Sequence, residues 1–489
     1  MAATFPIVKL NLNNEIIEFR DQDVIGAMVV QEIHPLSIEM PISTATVKIR
    51  TTDPRFSPFS DGEYYQALLS NVTVDVWESV DGTEQFIGRF YVQDWYNPIE
   101  GEFEFICQDI IGSLDTIPYD GSFWENQTAL SVILASILDP LAVDWEVDAV
   151  VGEKEMKGYL AGGENVSVRE VLQALLFAAG AFASTAQSEK LHILETKLPI
   201  PLASYPQEVG KYDVGFKYDA GTLYTDVVAD GVITDADKVG DQKITVLPMV
   251  TGIKLLSHDY AKATAVEDVY SATLEPGYYK VIFPKPYWEI IPTGVGDTPT
   301  ALGFEDGTGF LATEDSVDWT NCSLIAVTGE FVFGPNSIHL TVLETGLVSI
   351  QGKPWMDNIR SFSWDNPDGV KGFTTGARYD SDFRYDKTAN YFRSWNVYAT
   401  ANVWQVEGAK MVTASAAPDV LAKLIEYANL RHQHTIRLFP RTDTQPGDIK
   451  IADTLYEKKL AAIVEKMRSD LTGGYLIETE LIGVERINN

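Results

Sequence analysis

Residues 165–195, NVSVREVLQALLFAAGAFASTAQSEKLHILE, begin with a well-marked helix. Ser167 and Glu170 have the three-residue spacing of a capping box, in which each side chain accepts a hydrogen bond from the other residue's backbone N–H. Apolar residues then recur at helical spacing across 168–179. Gly180 follows, and glycine adopts the left-handed backbone that ends helices without steric cost. The stretch therefore predicts a helix with a defined start and a defined stop.

A hairpin and a second helix complete this part of the chain. Two short apolar runs, 181–185 and 191–195, flank a polar turn at 187–190. Upstream, Thr128 begins a helical run, TALSVILASIL, that ends before Pro140. Helices alternating with short strands predict a small α/β domain over 113–204, with nothing in it that looks like a reaction centre.

Residues 1–112 have the pattern of an antiparallel β unit. The segment 43–50, STATVKIR, alternates apolar and polar residues. An Asp-Gly pair at 81–82 separates two further alternating runs, which is a strong hairpin signal. Residues 102–107 supply another strand. We expect one barrel-like or sandwich-like unit here.

After residue 200 the chain is again rich in short β-branched and aromatic segments bounded by Gly, Pro, Asn or Asp. The Gly/Thr-rich segment 290–320 predicts a long loop. Residues 418–434 predict a helix, and the tail over 437–482 predicts strands separated by turns. The fold class expected is mainly β with a small α/β part.

Length and composition further restrict the domain organisation and the class of protein. A chain of 489 residues predicts three or four domains. The N-terminus lacks a signal-peptide pattern, and the longest apolar stretch, 171–183, is too short to span a membrane. Cys107 and Cys322 are too few for a disulfide framework, and both are expected to be structural thiols.

The formal net charge of −33 is unevenly distributed. Residues 1–160 contain 8 basic and 27 acidic residues, a balance of −19. Residues 421–489 contain 10 of each and are neutral, which leaves −14 for the middle of the chain. Such a chain repels nucleic acid, whose binding requires cations. The acidity is explained by solubility or by a surface that DNA passes without adhering.

Signatures of metal and catalytic chemistry are nearly absent. The sequence has no nucleophile elbow, zinc-protease motif, phosphate-binding loop or paired C-x-x-C. Asp235 and Asp237 with Gly240 begin like a calcium loop, but valines occupy the fifth and twelfth positions. His432 and His434 are interpreted as a pair at a helix C-terminus, favoured by the helix dipole. No catalytic, cofactor-binding or metal-binding residue is predicted.

Sugar chemistry is the open alternative. With 70 acidic residues, carboxylate pairs meet by chance, so a glycosidase dyad cannot be identified from sequence. Within 379–396, aromatic residues alternate with carboxylates. This segment suits either sugar binding or an interdomain turn with stacked tyrosines.

The capped helix and hairpin of 165–195 resemble the tail-hub proteins of bacteriophages, which include the baseplate hub of contractile tails and the N-terminal hub of siphophage tail-tip proteins. Segments elsewhere in the chain resemble the same family. These are 29–33 with 41–45, then 88–116 with its D-x-x-G-x-L-D exit, then 255–260 and 277–283, and finally 424–427, 447–449 and 470–474.

The resemblance implies a trimer in which each chain contributes two tail-tube-like antiparallel β-barrels to a pseudo-sixfold ring. Residues 1–112 would form the first barrel and 113–204 the α/β domain. Residues 205–250 and 435–489 would form a second, split barrel, and 251–434 an inserted β-rich domain with a terminal helix.

The implied function is structural. The protein would be a hub in the virion, made in the host cytoplasm, without enzymatic activity, cofactor or membrane span. Its implied partners are two further copies, the tail tube or distal tail protein, the tape-measure protein, and other tip or fibre proteins, with DNA in transient passage. Because Asn489 follows the expected last strand closely, wall degradation or receptor binding is expected to belong to another chain.

Two alternatives belong to other classes. One is a β-rich carbohydrate-active depolymerase or glycan-binding module. The other is an adhesin, for which 379–396 is the candidate surface.

Overall fold

The computed structural model describes most of the chain. The described residues are 4–12, 15–57, 63–64, 68, 72–199, 229–283, 285–292, 302–303, 311–312, 331–334, 337–342, 346–366, 402–439, 443–456, 458–472 and 476–486. The predicted strands over 205–228, Cys322, the segment 379–396 and most of the predicted loop 290–320 lie outside these residues.

The first part of the chain forms seven strands, and the four segments predicted from the alternating pattern are among them. The Asp81-Gly82 turn joins two of them, and both residues have positive φ, 51° and 83°. The strands are β1 (Thr4–Leu12), β2 (Glu15–Arg20), β3 (Val24–Glu32), β4 (Thr44–Arg50), β5 (Thr73–Val80), β6 (Thr83–Ile99) and β7 (Glu102–Gln108).

A group of short strands and four helices follows. Its elements are α1 (Ile110–Leu114), β8 (Pro118–Tyr119), β9 (Ser122–Ala129), α2 (Leu130–Leu138), β10 (Trp145–Val147), α3 (Ala149–Gly152), β11 (Glu155–Leu160), β12 (Gly163–Ser167), α4 (Val168–Ala179), β13 (Ala181–Ser184) and β14 (Leu191–Glu195).

The predicted capping box and helix stop are both present. Ser167 and Glu170 cap α4 reciprocally, and Gly180 has φ 62°. Strands β13 and β14 form the predicted antiparallel hairpin. The start of the helix predicted from Thr128 was wrong by two residues. Thr128 lies in β9 because it pairs with Met156 of β11, and α2 begins at Leu130.

The rest of the chain is mostly β. Its elements are β15 (Gly231–Ile233), β16 (Lys243–Val246), β17 (Gly252–Lys262), β18 (Glu267–Leu274), β19 (Gly277–Ile282), β20 (Tyr287–Pro292), β21 (Leu302–Gly303), β22 (Leu311–Ala312), β23 (Phe331–Gly334), β24 (Ser337–Val342), β25 (Gly346–Asp365), β26 (Val403–Val406), α5 (Ala417–Ala428), β27 (His432–Leu438), β28 (Ile449–Asp453), β29 (Lys459–Asp470) and β30 (Leu476–Arg486). The fold is mainly β with a smaller α/β part, as predicted.

One large sheet contains strands from both ends of the chain. Its main path runs β16-β27-β30-β29-β3-β4-β7-β6-β5-β1-β2, and β15 and β28 branch from β29. One face of the N-terminal strands buries a core that includes Val47, Val74 and Phe105. The C-terminal strands bury a second core that includes Val464 and Leu481.

The α/β part has its own core, built around α2, α4 and α5. Leu134, Leu172 and Leu424 represent the three helices in it, and Ile253 of β17 packs into the same cluster. Strands β17, β18, β20, β21, β25 and β26 form a separate six-stranded sheet, with long antiparallel pairing between β17 and β25. Helix α5 is therefore shared in packing between the α/β part and the inserted strands.

The predicted helix over 418–434 was too long. Helix α5 ends at Ala428, and His432–Leu438 form β27 between β16 and β30. The sequence HQHTIRL alternates in burial, with His434, Ile436 and Leu438 buried on one face. Cross-strand pairing with distant segments overrides the local helical continuation at this point.

Candidate assembly surface

Strand β29 joins the two halves of the large sheet. Along one edge it pairs with β30 over its whole length. Along the other edge, Lys459–Ile463 pair with β28 and Lys466–Asp470 pair with β3. A β-bulge between Val464 and Lys466 lies where the partner changes, and the carbonyl of Glu465 accepts a 2.8 Å hydrogen bond from the N–H of Ile33. The bulge locally bends and twists the strand, as a change of partner requires.

Helix α5 is fixed to this junction by one side-chain contact. The hydroxyl of Tyr427 donates to the carboxylate of Glu465. Burial raises the pKa of Glu465 to about 7 and raises the pKa of Tyr427 well above its usual value. In both groups burial favours the neutral form, which suits a buried contact.

One face of the joined sheet is mainly polar along its length. Residues directly opposite in adjacent strands lie on the same face. Following the register across the sheet gives the row Lys9, Asp75, Arg89, then Tyr91, Gln108, Thr44, Val30, Arg468, Glu478 and Arg437. This row crosses the β3–β29 junction without interruption. We call the surface it traverses the polar face.

Cross-strand ion pairs neutralise much of the polar face. They link Lys9 to Glu18 (3.6 Å), Arg89 to Asp75 (2.7 Å), Lys48 to Glu104 (2.8 Å), Arg50 to Glu102 (2.6 Å), Lys466 to Glu32 (2.7 Å) and Arg437 to Glu478 (3.6 Å). Each pair is worth little to stability because the side chains are partly exposed. Their main effect is on the electrostatics of the polar face, because each of these cations already has a carboxylate partner.

A buried carboxylate connects the first sheet to the α/β part. Asp109 is fully buried and caps α1 by accepting a 3.1 Å bond from the N–H of Gly112. It also accepts from the N–H of Ser43 (3.3 Å) and the hydroxyl of Thr185 (2.9 Å). Burial raises its pKa to about 6, although these donors act in the opposite direction.

Strands β2 and β16 end the large sheet in the part of the chain that the structure describes. Among the strands that the structure describes, β2 and β16 each hydrogen-bond to one neighbour, β1 and β27 respectively. Each edge strand also exposes a large apolar side chain. Ile16 of β2 is 67% exposed and Val246 of β16 is 58% exposed. Unpaired edges with exposed apolar side chains are suited to pairing with another chain.

The calcium-like segment forms a local turn. Asp237 accepts hydrogen bonds from the backbone N–H and the hydroxyl of Thr234, both at 2.8 Å. Asp235 accepts from the ammonium of Lys238 at 3.0 Å. The two carboxylates are thus engaged within a single turn of 3₁₀-helix, over Asp235–Asp237.

The interpretation of His432 and His434 as a helix-terminal pair was wrong, because both lie in β27. His434 is buried, and its Nε2 lies 3.0 Å from the side-chain oxygen of Gln242. Burial and the Lys238 ammonium lower the pKa of His434 to about 4. Within the described residues, no group of three or more His, Cys, Asp or Glu side chains is arranged to hold a metal ion.

Several carboxylates have raised pKa values without sharing a cleft. Burial raises the pKa of both Glu78 and Glu426 to about 7. Three surface cavities lined by described residues have volumes of about 150, 270 and 240 Å³. None of Glu78, Asp109, Glu426 and Glu465 lines them. No helix in the described part of the chain is long and apolar enough to cross a membrane.

No family model matches the sequence, and no curated protein matches it. In solved structures, the chain is similar to three bacterial or prophage tail proteins. The tail protein from Neisseria meningitidis is 8% identical with a TM-score of 0.45, and the alignment covers 98% of this chain and 96% of that one. A 43 kDa prophage tail protein from Shewanella oneidensis is 9% identical with a TM-score of 0.44, covering 97% and 98%.

A prophage tail protein from Listeria monocytogenes is also 9% identical with a TM-score of 0.44, and the alignment covers 97% of this chain and 94% of that one. Similarity at this distance does not by itself assign a function to the chain.

Proposed function

We propose that this chain is the structural hub of a phage tail tip or baseplate, or of a phage-derived particle. Three copies form a ring that continues the tail tube and lets the tape-measure protein and DNA pass. The observation that carries the proposal is the joining of the N-terminal and C-terminal strands through β29 and β3 into one sheet with a continuous polar face.

The strand order of the large sheet supports the ring in this proposal. Each chain supplies two strand groups side by side, with open edges at β2 and β16. If β2 of one copy meets β16 of the next, the contact is head-to-tail, and such contacts close into rings when the rotation permits. Three copies with two groups each give a wall of six similar units. Residues 1–112 and the split pair 205–250 with 435–489 are the two tube-like barrels in this proposal, with 113–204 and 251–434 outside them.

The polar face suits a channel wall. DNA binds where cations neutralise phosphates and release counterions. On this face the basic side chains of residues such as Lys48 and Arg50 are paired with carboxylates already, and the whole chain carries −33. A duplex therefore gains little by remaining there. Tape-measure, tube, tip and fibre proteins are the partners in this proposal, and the chain itself has no enzymatic activity.

The test is the mass and image of the purified full-length protein, alone and mixed with its tail-tube protein. We expect a trimer mass and a threefold ring with an axial channel about 20–40 Å wide, enough for a duplex whose major groove is about 12 Å across. A protein that stays monomeric under both conditions and cleaves polysaccharide would overturn the hub function in favour of a depolymerase.

A further inference from the structure

A polar cavity of about 270 Å³ lies where the α/β part meets the six-stranded sheet. Its walls come from β9 and β11 on one side and from β17 and β25 on the other, closed by the segment around Thr413. The backbone N–H of His258 donates to the carbonyl of Val412 at 2.8 Å, which anchors that segment. Gly158, at the bulge of β11, comes close to the carbonyl of Lys410, where a Cβ would lie 3.1 Å away. The cavity is thus a built feature of four strands and one anchored loop.

His258 presents an unpartnered nitrogen in this wall. The residue is 3% exposed, and its Nδ1 lies 2.8 Å from the carboxylate of Asp357. The Asp357 carboxylate thus occupies the Nδ1 side of the ring and leaves Nε2 as its other polar atom. Nε2 is buried and has no hydrogen-bond partner among the described residues. A buried polar atom left unpaired is destabilising, so a ligand that supplies a hydrogen-bond partner is favoured.

Tyr260 supplies the complementary group. It lies two residues further along β17, and side chains at that spacing point to the same face of a strand. Its hydroxyl is buried and also lacks a hydrogen-bond partner among the described residues. Burial raises the pKa of Tyr260, so the hydroxyl keeps its proton and can donate. Two residues with unpartnered buried polar atoms, His258 and Tyr260, thus line the same small cavity.

The remaining walls are aromatic and of mixed charge. Phe123 and Trp355 stack with ring centroids 4.4 Å apart, and Tyr260 meets Phe123 edge-on at 5.4 Å. Lys262, paired with Glu125 at 3.1 Å, lies 5.2 Å from the Trp355 ring. These contacts fix the aromatic side chains in position. Glu125, Lys157 and Asp259 also line the cavity, so charges of both signs surround a ligand there.

We propose that this cavity binds one ring of a neutral sugar. A sugar hydroxyl both donates and accepts, so it satisfies His258 Nε2 and the Tyr260 hydroxyl together, while the C–H face of the ring packs against the aromatic wall. The volume is just below the range of about 300–1,000 Å³ typical of drug-sized ligands, which limits the ligand to a single ring. The proposal goes beyond the hub function and does not depend on it. Ordered water is the competing occupant, since buried waters satisfy such groups in many proteins.

The test is titration of the full-length protein with methyl α-glucoside, methyl α-galactoside and N-acetylglucosamine, followed by calorimetry and saturation-transfer NMR. We expect at least one of them to bind with a Kd on the order of 1 mM. Tyr260→Phe removes only the hydroxyl and should weaken binding about tenfold, the equivalent of about 1.4 kcal/mol. His258→Gln should weaken it similarly. The matched control is Tyr456→Phe, the same change at a tyrosine that is 76% exposed, and it should leave the Kd unchanged.

Thermal melts of each variant separate a loss of binding from a loss of folding. Absence of saturable binding by all three sugars overturns the proposal, as does equal binding by wild type and by folded Tyr260→Phe. A high-resolution structure with sugar present that shows only water against His258 Nε2 and the Tyr260 hydroxyl also overturns it. None of these outcomes bears on the trimer mass, so failure here is distinguishable from failure of the hub function.

Discussion

The hydroxyl of Thr185 donates a 2.9 Å hydrogen bond to the carboxylate of Asp109, across 76 positions of sequence. The same carboxylate accepts from the backbone of Ser43 and of Gly112. Ser43 follows the first strands, Gly112 belongs to the D-x-x-G-x-L-D exit, and Thr185 ends the first run of the hairpin. Three of the segments that resemble tail hubs therefore meet at one buried side chain. This contact fixes the α/β part relative to the first sheet.

Asp109→Ala is expected to reduce the free energy of unfolding by about 2–4 kcal/mol, because it removes the α1 cap and leaves buried donors unpaired. Thr185→Val removes one hydrogen bond with little change of shape and should cost about 1 kcal/mol. Chemical denaturation measures both. The control is Asp241→Ala, at an exposed aspartate between β15 and β16. Equal effects of Asp109→Ala and Asp241→Ala would contradict the role of Asp109.

Local features of this fold follow from sequence because short-range physics determines them. The Ser167–Glu170 capping box and the left-handed Gly180 depend only on neighbouring residues. The Asp81-Gly82 turn likewise needs positive φ at two adjacent positions. The N-cap role of the fully buried Asp109 could also be predicted from sequence, because an Asp three residues before Gly112 has the spacing of an N-cap.

Long-range pairing could not be predicted in the same way. The pairing of β29 with β3 joins residues more than 430 positions apart. The bulge at Glu465 has no Gly or Pro to mark it. His432 and His434 were assigned to a helix because periodicity alone does not reveal that β16 and β30 lie on either side of β27. The polar face and the sugar cavity both depend on such pairings, so neither was visible in the sequence.

The Glu465 carboxyl makes stability depend on pH. Its pKa rises from the ordinary value of 4.5 to about 7 in the folded protein. Between those values the folded state binds more protons than the unfolded chain, so the free energy of unfolding falls as pH rises through this window. The full effect is on the order of 3 kcal/mol. The contribution is present below about pH 4.5 and is lost above about pH 7.

Glu465→Gln removes this titration while keeping an oxygen that accepts from Tyr427. We expect the variant to gain stability relative to wild type as pH rises from 4 to 8, with the difference levelling off above pH 7. Denaturation at a series of pH values measures it. Glu153→Gln, the same change at an exposed glutamate, is the matched control. If the difference in the free energy of unfolding between wild type and Glu465→Gln does not change with pH, the Glu465 carboxyl is solvated and the prediction is wrong.

Removing carboxylates from the polar face should create DNA affinity. In the double variant Glu102→Gln with Glu104→Gln, Arg50 and Lys48 lose their partners. We expect wild type to leave a short duplex unbound at low salt. The variant should bind it with a log–log salt slope of about −2, as two released cations imply. Fluorescence anisotropy at several salt concentrations measures the slope.

The matched control for that variant is Glu153→Gln with Glu155→Gln, two exposed glutamates of the α/β part. It changes the net charge by the same amount away from the polar face. If both double variants bind DNA equally, total charge and not the ion pairing of the polar face governs repulsion. If wild type already binds tightly, the polar face is unsuited to a channel.

The last prediction concerns β2 and β16, the two strands that end the described part of the large sheet. In the proposed ring, β2 of one copy meets β16 of the next, so the exposed Ile16 and Val246 become buried at the contact. A carboxylate buried there without a partner costs several kcal/mol per contact. Ile16→Asp and Val246→Asp should therefore each convert trimer to monomer in mass measurements while changing monomer stability by less than about 0.5 kcal/mol, as surface substitutions do. Val266→Asp, at a valine that is 47% exposed between β17 and β18, should leave the trimer intact.

Because the contact is head-to-tail, mixing the two edge variants leaves one intact contact per pair of unlike subunits and should restore dimers but not closed rings. Trimers that survive both edge substitutions would mean that the ring closes through another surface, most directly the inserted strands.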